Sequence, residues 1–495
     1  MVAGVAAASR GRAGRIEGVA PGAQLLAIKH GMTFSAFAWA LITAFADERS
    51  DVVLVEASVP PAGATMLADG RSLLGLLVLR LSQRYQKFSC WTADNVPAMS
   101  TIVDASIAPE TLSVGAYDTA ESFRAHYGLQ LPWKDALHSI GSEGPAGNGA
   151  LKPDVVAPSI MTSLRDGYLG SESFGSLPGL YEMPPGYAIS GGTSSAAPAA
   201  CGAVALLMSA ARQTGLPHDA PRIKRALLDS ARYLSGAGSY QQGAGVIRAA
   251  AAWDALQAAA KNPEPVSVDV IAPVRTVSSA FLPTPHRGAG IFEREGWRSG
   301  DEAVRSVTLI RRNGPEGPMH FTTQWQGNFN GVFRTAREVV LPLGEPVALD
   351  IVIAPKQTGV HSATLLLVSG NRATPTIRVP VTIVVPHELD RANGFVHEQQ
   401  IEVPTQGRNA VFVRVPEGVE ALTVEVSHAR RYTQLMIQDP AGQHSGFYLF
   451  FNPVTGRSVE TIPVPQAGVW GLFLSDRSGR AAWFGADPEL AAYRT

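Results

Sequence analysis

Hydrophobic and polar positions follow two different patterns along the 495-residue chain, and the change occurs near residue 262. Before that point, apolar residues recur with helical spacing between short valine-rich runs, which predicts helices that alternate with buried strands. After it, Val, Ile, Phe and Thr alternate with polar residues between Pro and Gly turns, which predicts strands. We therefore expect an α/β part followed by β-rich parts.

The first part is predicted to be a parallel sheet flanked by helices, because apolar strands alternate there with longer helical patterns. Strands are predicted over residues 24–29, 51–56, 87–92 and 111–116. Helices are predicted over residues 35–47, 65–84, 195–212, 220–233 and 249–261. Together these segments define a predicted α/β domain over residues 1–262.

Two all-β domains are predicted to follow. A β-sandwich of fibronectin or immunoglobulin type is predicted over residues 263–386, and a sandwich-like or jelly-roll-like domain over residues 387–495. The first contains predicted strands at 304–311, 347–353, 362–368 and 376–384. The second contains predicted strands at 398–403, 410–415, 422–426 and 470–474.

Composition narrows the class of protein. The 41 basic and 42 acidic residues nearly cancel, so no electrostatic argument favours nucleic acid or an anionic membrane as partner.

The two cysteines, Cys90 and Cys201, form neither a disulfide framework nor a metal-ligand spacing, and both are expected in the core. No apolar run reaches the roughly 20 residues of a membrane-spanning helix. Oligomeric state is left open, and an extracellular location is favoured over a cytoplasmic one.

The segment Gly191–Pro198 is the most informative part of the sequence. A glycine pair permits a tight turn and close approach of a substrate, and Ser194 then opens a long helical pattern. Free backbone N–H groups and the positive end of the helix dipole favour negative charge there, so the serine could attack a carbonyl. Pro198 is expected within the first turn, where no intrahelical donor is lost. A serine at this place is also a common helix cap.

The string Gly192-Thr193-Ser194 followed by Ala196 and Pro198 resembles the nucleophile motif of the subtilases, the subtilisin-like serine peptidases. Three further segments are similar to family motifs in the family's order: residues 18–29, 152–158 and 242–253. The resemblance covers about residues 1–260 and is nearest the branch that contains tripeptidyl peptidase II. It implies a peptide or protein substrate, an acyl-enzyme on Ser194, and no cofactor. Subtilases often bind structural calcium, but no Asp-rich loop here identifies ligands for it.

The resemblance also implies a side-chain donor for the oxyanion, which subtilases take from the Asn of an Ala-Gly-Asn turn. The matching turn here reads Ala93-Asp94-Asn95, so Asn95 is the candidate donor, although turn-forming Asn residues are common. Asp94 stands where the family has Gly, in a place that usually needs a special backbone conformation. A carboxylate pointing towards a developing oxyanion would oppose catalysis.

The substrate-binding strand departs from the family as well. Subtilases commonly have a Ser-x-Gly segment after the buried strand, and the matching place here reads Val55-Glu56-Ala57-Ser58. Pro60 and Pro61 follow and remove two backbone donors, which predicts altered recognition of a substrate strand or decay of function.

A serine hydroxyl needs a general base and an orienting carboxylate, which are His and Asp in subtilases. The first residues of this chain resemble the end of the family's histidine motif, so His and Asp are expected upstream of Met1. Either the recorded start is wrong, which we favour, or the chain is a peptidase in fold only. His30, His126 and His138 are expected to be exposed or structural, because none lies in a motif that aims it at Ser194.

Three functions are compatible with these observations. The leading one is a serine peptidase that uses Ser194 and Asn95 but lacks its Asp and His as given. A non-catalytic binding or scaffold protein is the alternative, supported by Asp94 and by Pro60 and Pro61. An esterase is disfavoured, because the nucleophile-elbow string Gly-x-Ser-x-Gly does not surround Ser194.

Overall fold

A computed structural model describes residues 1–9, 16–31, 33–57, 68–128, 130–164, 186–261, 266–404, 406–427, 433–450 and 457–476. Pro60 and Pro61 lie outside the described residues. The helices in the described part are α1 Val2–Ala7, α2 Phe34–Ala46, α3 Leu73–Tyr85, α4 Asp104–Ile107, α5 Ala120–Tyr127, α6 Thr193–Thr214, α7 Ala220–Ser230, α8 Ser239–Gln242 and α9 Ala249–Ala259.

The first sheet is built mainly from parallel strands. Its strands are β1 Val52–Val55, β2 Phe88–Thr92, β3 Thr111–Thr119, β4 Asp135–Leu137 and β5 Val155–Pro158. Pairing is parallel from β1 to β2, β2 to β3 and β3 to β5, and β4 adds an antiparallel partner to β3. A separate antiparallel pair follows, β6 Met161–Leu164 with β7 Tyr187–Ser190. The described residues therefore confirm the predicted α/β architecture.

Helices cover both faces of this sheet because its strands carry apolar side chains on both. The alanine-rich helix α6 packs on one face, where Ala197, Ala200 and Val204 share a core with the strands. Helices α2 and α3 cover the other face, where Phe45 and Val78 are fully buried. Small residues bring α6 close to its neighbours, and the Cβ of any residue replacing Gly202 would lie 2.6 Å from Val19.

Helix α6 has the length and apolar composition of a membrane-spanning helix, so the sequence-based statement that no run is long enough was wrong. The length of this apolar run was underestimated, because its alanines and glycine were not counted as apolar residues. In the fold, 67% of its most apolar window is buried, as in the core helix of a compact domain.

A central β unit follows the α/β part. Its strands are β8 Val268–Arg275, β9 Arg287–Gly288, β10 Ile291–Glu293, β11 Ala303–Arg311, β12 Met319–Gln326, β13 Phe333–Thr335, β14 Glu338–Leu341, β15 Pro346–Ile353, β16 Gly359–Val368 and β17 Ile377–Val385. Most pairs are antiparallel, while β10 runs parallel to both β8 and β17. Alternating strand residues fill one apolar core, as in a sandwich.

The C-terminal β unit has two small sheets. Its strands are β18 His387–Glu388, β19 Arg408–Val415, β20 Ala421–Val426, β21 Thr433–Gln438, β22 His444–Phe450, β23 Ser458–Pro463 and β24 Gly468–Asp476. One sheet has the order β18-β19-β24-β21-β22, and β20 pairs with β23 in the other. The predicted sequence of one α/β part and two β-rich parts is thus confirmed.

Two predicted strands are not formed. Residues 24–29 have no regular secondary structure and are mostly exposed, with Leu25 and Leu26 facing solvent, because no described strand lies beside them to complete a ladder. Residues 398–403 are also irregular, although Ile401 and Val403 pack on the apolar core of the C-terminal β unit. The predicted helix over 65–84 is shorter in the structure and begins at Leu73, after the helix-capping Ser72.

The α/β part and both β units meet in one apolar cluster, which we call the three-part core. It consists of Val96, Ala98, Met99 and Tyr240 from the first part, Val274, Leu282, Phe292 and Val384 from the second, and Phe412, Met436, Val469 and Phe473 from the third. The segment 96–101, which follows Asn95, therefore packs directly against the β units.

Candidate active site

Ser194 lies at the start of helix α6. Gly192 caps the helix with φ 80°, a conformation that favours glycine, and its carbonyl accepts from the N–H groups of Ser195 and Ala196. Thr193 and Ser195 are buried, whereas Ser194 is half-buried. The helix begins at Thr193, so Pro198 lies in its second turn and leaves the Ser194 carbonyl without its helical donor. The expectation that Pro198 sits in the first turn was therefore wrong.

Asn95 lies directly beside this helix start. The Thr193 N–H donates to Asn95 Oδ1 at 3.0 Å, and the Cβ of any residue replacing Gly192 would lie 2.8 Å from the same oxygen. Because Oδ1 accepts that bond, the side-chain NH₂ group points away from it, and no described residue accepts from it. The two residues singled out from sequence are thus neighbours, with a free amide donor next to the serine.

Strand β2 is also hydrogen-bonded to the first turn of α6. The Thr92 hydroxyl donates to Thr193 Oγ1 at 2.6 Å, and both threonines are buried. Two hydrogen bonds, one between Thr92 and Thr193 and one between Thr193 and Asn95, therefore hold the carboxyl end of β2 against the first turn of α6.

Asp94 adopts the left-handed backbone conformation, with φ 84°. Its carboxylate accepts from the N–H of Asn95 at 2.7 Å, and burial raises its pKa. The position thus needs the conformational freedom that glycine provides, and Asp meets the need through a local hydrogen bond.

Replacement of Asp94 by glycine is expected to raise the free energy of unfolding by about 1 kcal/mol, because it relieves the left-handed strain and removes a buried carboxyl. Asp94→Val should lower it by about 1–2 kcal/mol, since a β-branched residue tolerates this conformation poorly. Urea denaturation of both variants measures the two changes. Equal stability of the two variants would contradict the assignment of backbone strain to this residue.

Glu56 is a neighbour of Ser194 that the sequence reasoning missed. Both carboxyl oxygens are buried, although the residue as a whole is half-buried, and neither has a hydrogen-bond partner among the described residues. Burial raises the pKa of this carboxyl to about 8, and the Ser194 hydroxyl partly opposes the shift. The hydroxyl therefore faces the carboxyl, but outside the geometry of a formed hydrogen bond.

The strand pattern accounts for the position of Glu56. Val52 and Leu54 of β1 pack on the α6 face of the sheet, and strand alternation places Glu56 on the same face. This alternation is visible in the sequence and could have indicated the face on which Glu56 lies.

None of the three histidines before Ser194 contacts it in the described part of the chain. His138 Nδ1 lies 2.7 Å from Asp118 Oδ2 and 3.1 Å from Ser159 Oγ, and Ser159 Oγ accepts from the Gly192 N–H at 3.3 Å. His138 is thus linked through Ser159 to the turn that precedes Ser194. His126 bonds within its own helix and to Thr162, and His30 is exposed.

The segment after Asn95 is held by two sets of contacts. Within the α/β part, the Val96 N–H donates to Ser142 Oγ at 3.0 Å. From the C-terminal β unit, Gln438 Nε2 donates to the Met99 carbonyl at 2.7 Å, and Arg408 forms a buried 2.9 Å ion pair with Glu143. The candidate oxyanion donor therefore depends on residues more than 300 positions away.

Cys90 and Cys201 are free and buried, as their apolar surroundings in the sequence predict. Within the described ranges, no group of three or more His, Cys, Asp or Glu side chains is arranged to hold a metal ion.

Residues 1–245 match the subtilase family, and residues 269–385 match the Ig-like domain in actinomycete serine proteases. The chain is 24% identical over 443 residues to tripeptidyl-peptidase 2 of Caenorhabditis elegans, covering 83% of this chain and 30% of that protein. It is 26% identical over 280 residues to pyrolysin of Pyrococcus furiosus, covering 49% of this chain and 18% of that protein. The chain thus spans less than a third of the length of these curated relatives.

The fold is also similar to a crystal structure of tripeptidyl peptidase 2, with a TM-score of 0.68 at 17% identity. That similarity covers 96% of this chain and 38% of the solved one, so it extends across the α/β part and both β units. The family match shows that the α/β part of this chain, residues 1–245, belongs to the subtilase family of subtilisin-like serine peptidases.

Proposed function

We propose that this protein hydrolyses peptide bonds through an acyl-enzyme on Ser194. The proposal rests chiefly on one observation, the free side-chain donor of Asn95 beside the half-buried Ser194 at the start of α6. A carbonyl carbon attacked by the serine would place its oxygen near this donor and the backbone N–H of Ser194. Both groups would stabilise the negative charge that develops on that oxygen.

The reaction has two halves. Ser194 Oγ attacks the scissile carbonyl as its proton passes to a base, and the amine leaves with a proton. Water then attacks the resulting ester, releases the acid and returns the proton to the serine. This chemistry requires peptide or protein substrates and no cofactor.

The described residues do not identify the general base of this mechanism. A subtilase uses a histidine oriented by an aspartate, and no described histidine contacts Ser194.

A fluorophosphonate probe tests the serine directly, because it phosphonylates only an activated hydroxyl. Ser194 is expected to be labelled, and Ser194→Ala to abolish labelling. Ser195→Ala is the matched control: that neighbouring hydroxyl is buried and donates to Ser190 Oγ at 2.6 Å, so labelling should remain. Labelling that survives in Ser194→Ala, or no labelling of the unaltered chain, would reject the proposal.

A non-catalytic binding protein is the second candidate. The observation that favours it is the pair of carboxyls near the serine: the half-buried Asp94 accepts from the N–H of Asn95, and Glu56 faces the Ser194 hydroxyl. Negative charge there would oppose acyl transfer but would still permit a peptide to bind. Peptide binding without turnover or probe labelling would support this candidate.

A further inference from the structure

The loop that carries Asn95 is hydrogen-bonded along its length to a second loop. We call residues 94–101 the oxyanion loop and residues 141–145 the support loop. The Thr101 N–H donates to the Glu143 carbonyl at 3.0 Å, and further bonds join the two loops at Ala98, Ser100, Gly144 and Pro145. The position of the oxyanion loop is therefore set by the support loop as well as by helix α6.

Ser142 of the support loop contacts the backbone on both sides of Asn95. Its N–H donates to the Asp94 carbonyl at 2.9 Å, and its Oγ accepts from the Val96 N–H at 3.0 Å. These two bonds hold the backbone around Asn95, while the Thr193 N–H holds its side-chain oxygen. The free NH₂ group of Asn95 therefore keeps its position only while Ser142 keeps its own.

Arg408, the first residue of β19, in turn holds the support loop on both sides of Ser142. Its Nη1 donates to the Gly141 carbonyl at 2.7 Å, and its Nε lies 2.9 Å from Glu143 Oε1. A guanidinium presents its donors in a rigid planar fork, so the two contacts fix the spacing between residues 141 and 143. Among the described residues, Arg408 is the only cation that pairs with Glu143.

The burial of this ion pair favours a role in geometry over a role in stability. The side chains of Arg408 and Glu143 are only 13% and 3% exposed. Desolvation of two buried charges offsets much of their attraction, so such a pair adds little net stability. Removal of one partner nevertheless leaves the other charge buried and uncompensated. Without Arg408, the Glu143 carboxylate would turn towards water and displace the support loop.

We propose that Arg408 is a positioning residue for the oxyanion donor, an inference that rests on the proposed peptidase function. Arg408 fixes residues 141 and 143, and Ser142 between them fixes residues 94 and 96. Asn95, between those two, then presents its NH₂ group beside Ser194. A displacement of about 1 Å at a reacting group can slow a reaction about 100-fold, so this series of contacts bears directly on the rate.

The test follows the reaction of the full chain with a fluorophosphonate and separates the inactivation rate constant, kinact, from the apparent affinity for the probe, KI. Arg408→Met is expected to lower kinact about 10–100-fold and to leave KI unchanged, because the donor acts on charge that develops after the probe has bound. Hydrogen exchange of the Val96 and Thr101 amides should become about tenfold faster, since both donate to the support loop.

A second variant separates positioning from stability. Arg408→Met combined with Glu143→Gln removes both charges, and it should recover the thermal stability that the single variant loses. Its kinact should stay low, because the fork that fixed residues 141 and 143 is still missing. Recovery of kinact together with stability would show that Arg408 serves stability alone and would overturn the inference.

Arg414→Met is the matched control. Arg414 lies on the same strand and is partly buried, but it pairs with Glu295 of the central β unit at 2.9 Å. This variant should lose stability without a change in kinact or in the exchange of the Val96 amide. An equal fall of kinact in the Arg408 and Arg414 variants would contradict a specific role for Arg408.

Failure of the inference and failure of the proposed function give different results. A folded Arg408→Met protein that reacts with the unaltered kinact would overturn the positioning role and leave Ser194 as nucleophile. If the unaltered chain is not labelled, or if Ser194→Ala does not abolish labelling, the proposed function is rejected and the inference with it.

Discussion

Substitution of Asn95 by alanine is expected to slow peptide hydrolysis, or probe labelling, by about 10²–10³-fold. The effect is large because no described residue accepts from the side-chain NH₂ group, which is therefore available to donate to an oxyanion formed beside Ser194. The side-chain oxygen of Asn95 accepts from the Thr193 N–H, so the amide is already held in position before the reaction. Loss of that bond should cost only about 1 kcal/mol of stability. Comparison of labelling rates for the two proteins measures the effect.

Asn393→Ala is a suitable control, since this exposed Asn also forms local turn bonds but lies in the C-terminal β unit. Its labelling rate should equal that of the unaltered chain. A less than threefold change in Asn95→Ala, in a folded protein, would exclude Asn95 as the oxyanion donor.

Replacement of Arg294 by methionine is expected to lower the free energy of unfolding by about 3–5 kcal/mol. The guanidinium is fully buried and donates to Gln438 Oε1 at 2.7 Å and to the carbonyls of Val469 and Asp439. Each acceptor left unpaired costs about 1–3 kcal/mol, offset in part because the desolvated charge is removed. That desolvation lowers the pKa of Arg294 to about 10, still far above neutrality.

The same substitution should also reduce labelling of Ser194, because Arg294 holds the Gln438 side chain that donates to Met99. Thermal denaturation and labelling rate are measured on the same sample. Arg312→Met is the control: this Arg pairs with Asp269 at 2.6 Å on the surface and should change stability by less than about 1 kcal/mol. Equal losses in both variants would show that the buried contacts of Arg294 contribute nothing specific.

The positions of Ser194 at a helix start and of Asn95 beside it could be predicted because each depends on a short segment. Ser194 is marked by the glycine pair before it and the alanine-rich helix after it, and Asn95 by a turn that follows a strand. Local sequence determines such turns and helix starts, so the prediction required no knowledge of distant contacts.

Other features depend on partners that a single segment does not reveal. Residues 24–29 have the composition of a strand, but a strand needs a neighbour, and none is described beside them. The alternation of β1 indicates the face on which Glu56 lies, but the burial of its carboxyl oxygens depends on strand register and helix packing together. The bond from Gln438 to Met99 joins residues 339 positions apart, beyond the reach of any local pattern.

The three-part core has a consequence for the order of events during biosynthesis. Asn95 and Ser194 leave the ribosome well before Gln438 and Arg408, which secure the neighbouring loops. Domains generally fold in order from the N-terminus, so a nascent chain would carry the nucleophile before its oxyanion loop is fixed. We expect such partly translated chains to be inert towards their surroundings, with hydrolytic competence arising only once translation has passed strands β19 and β21.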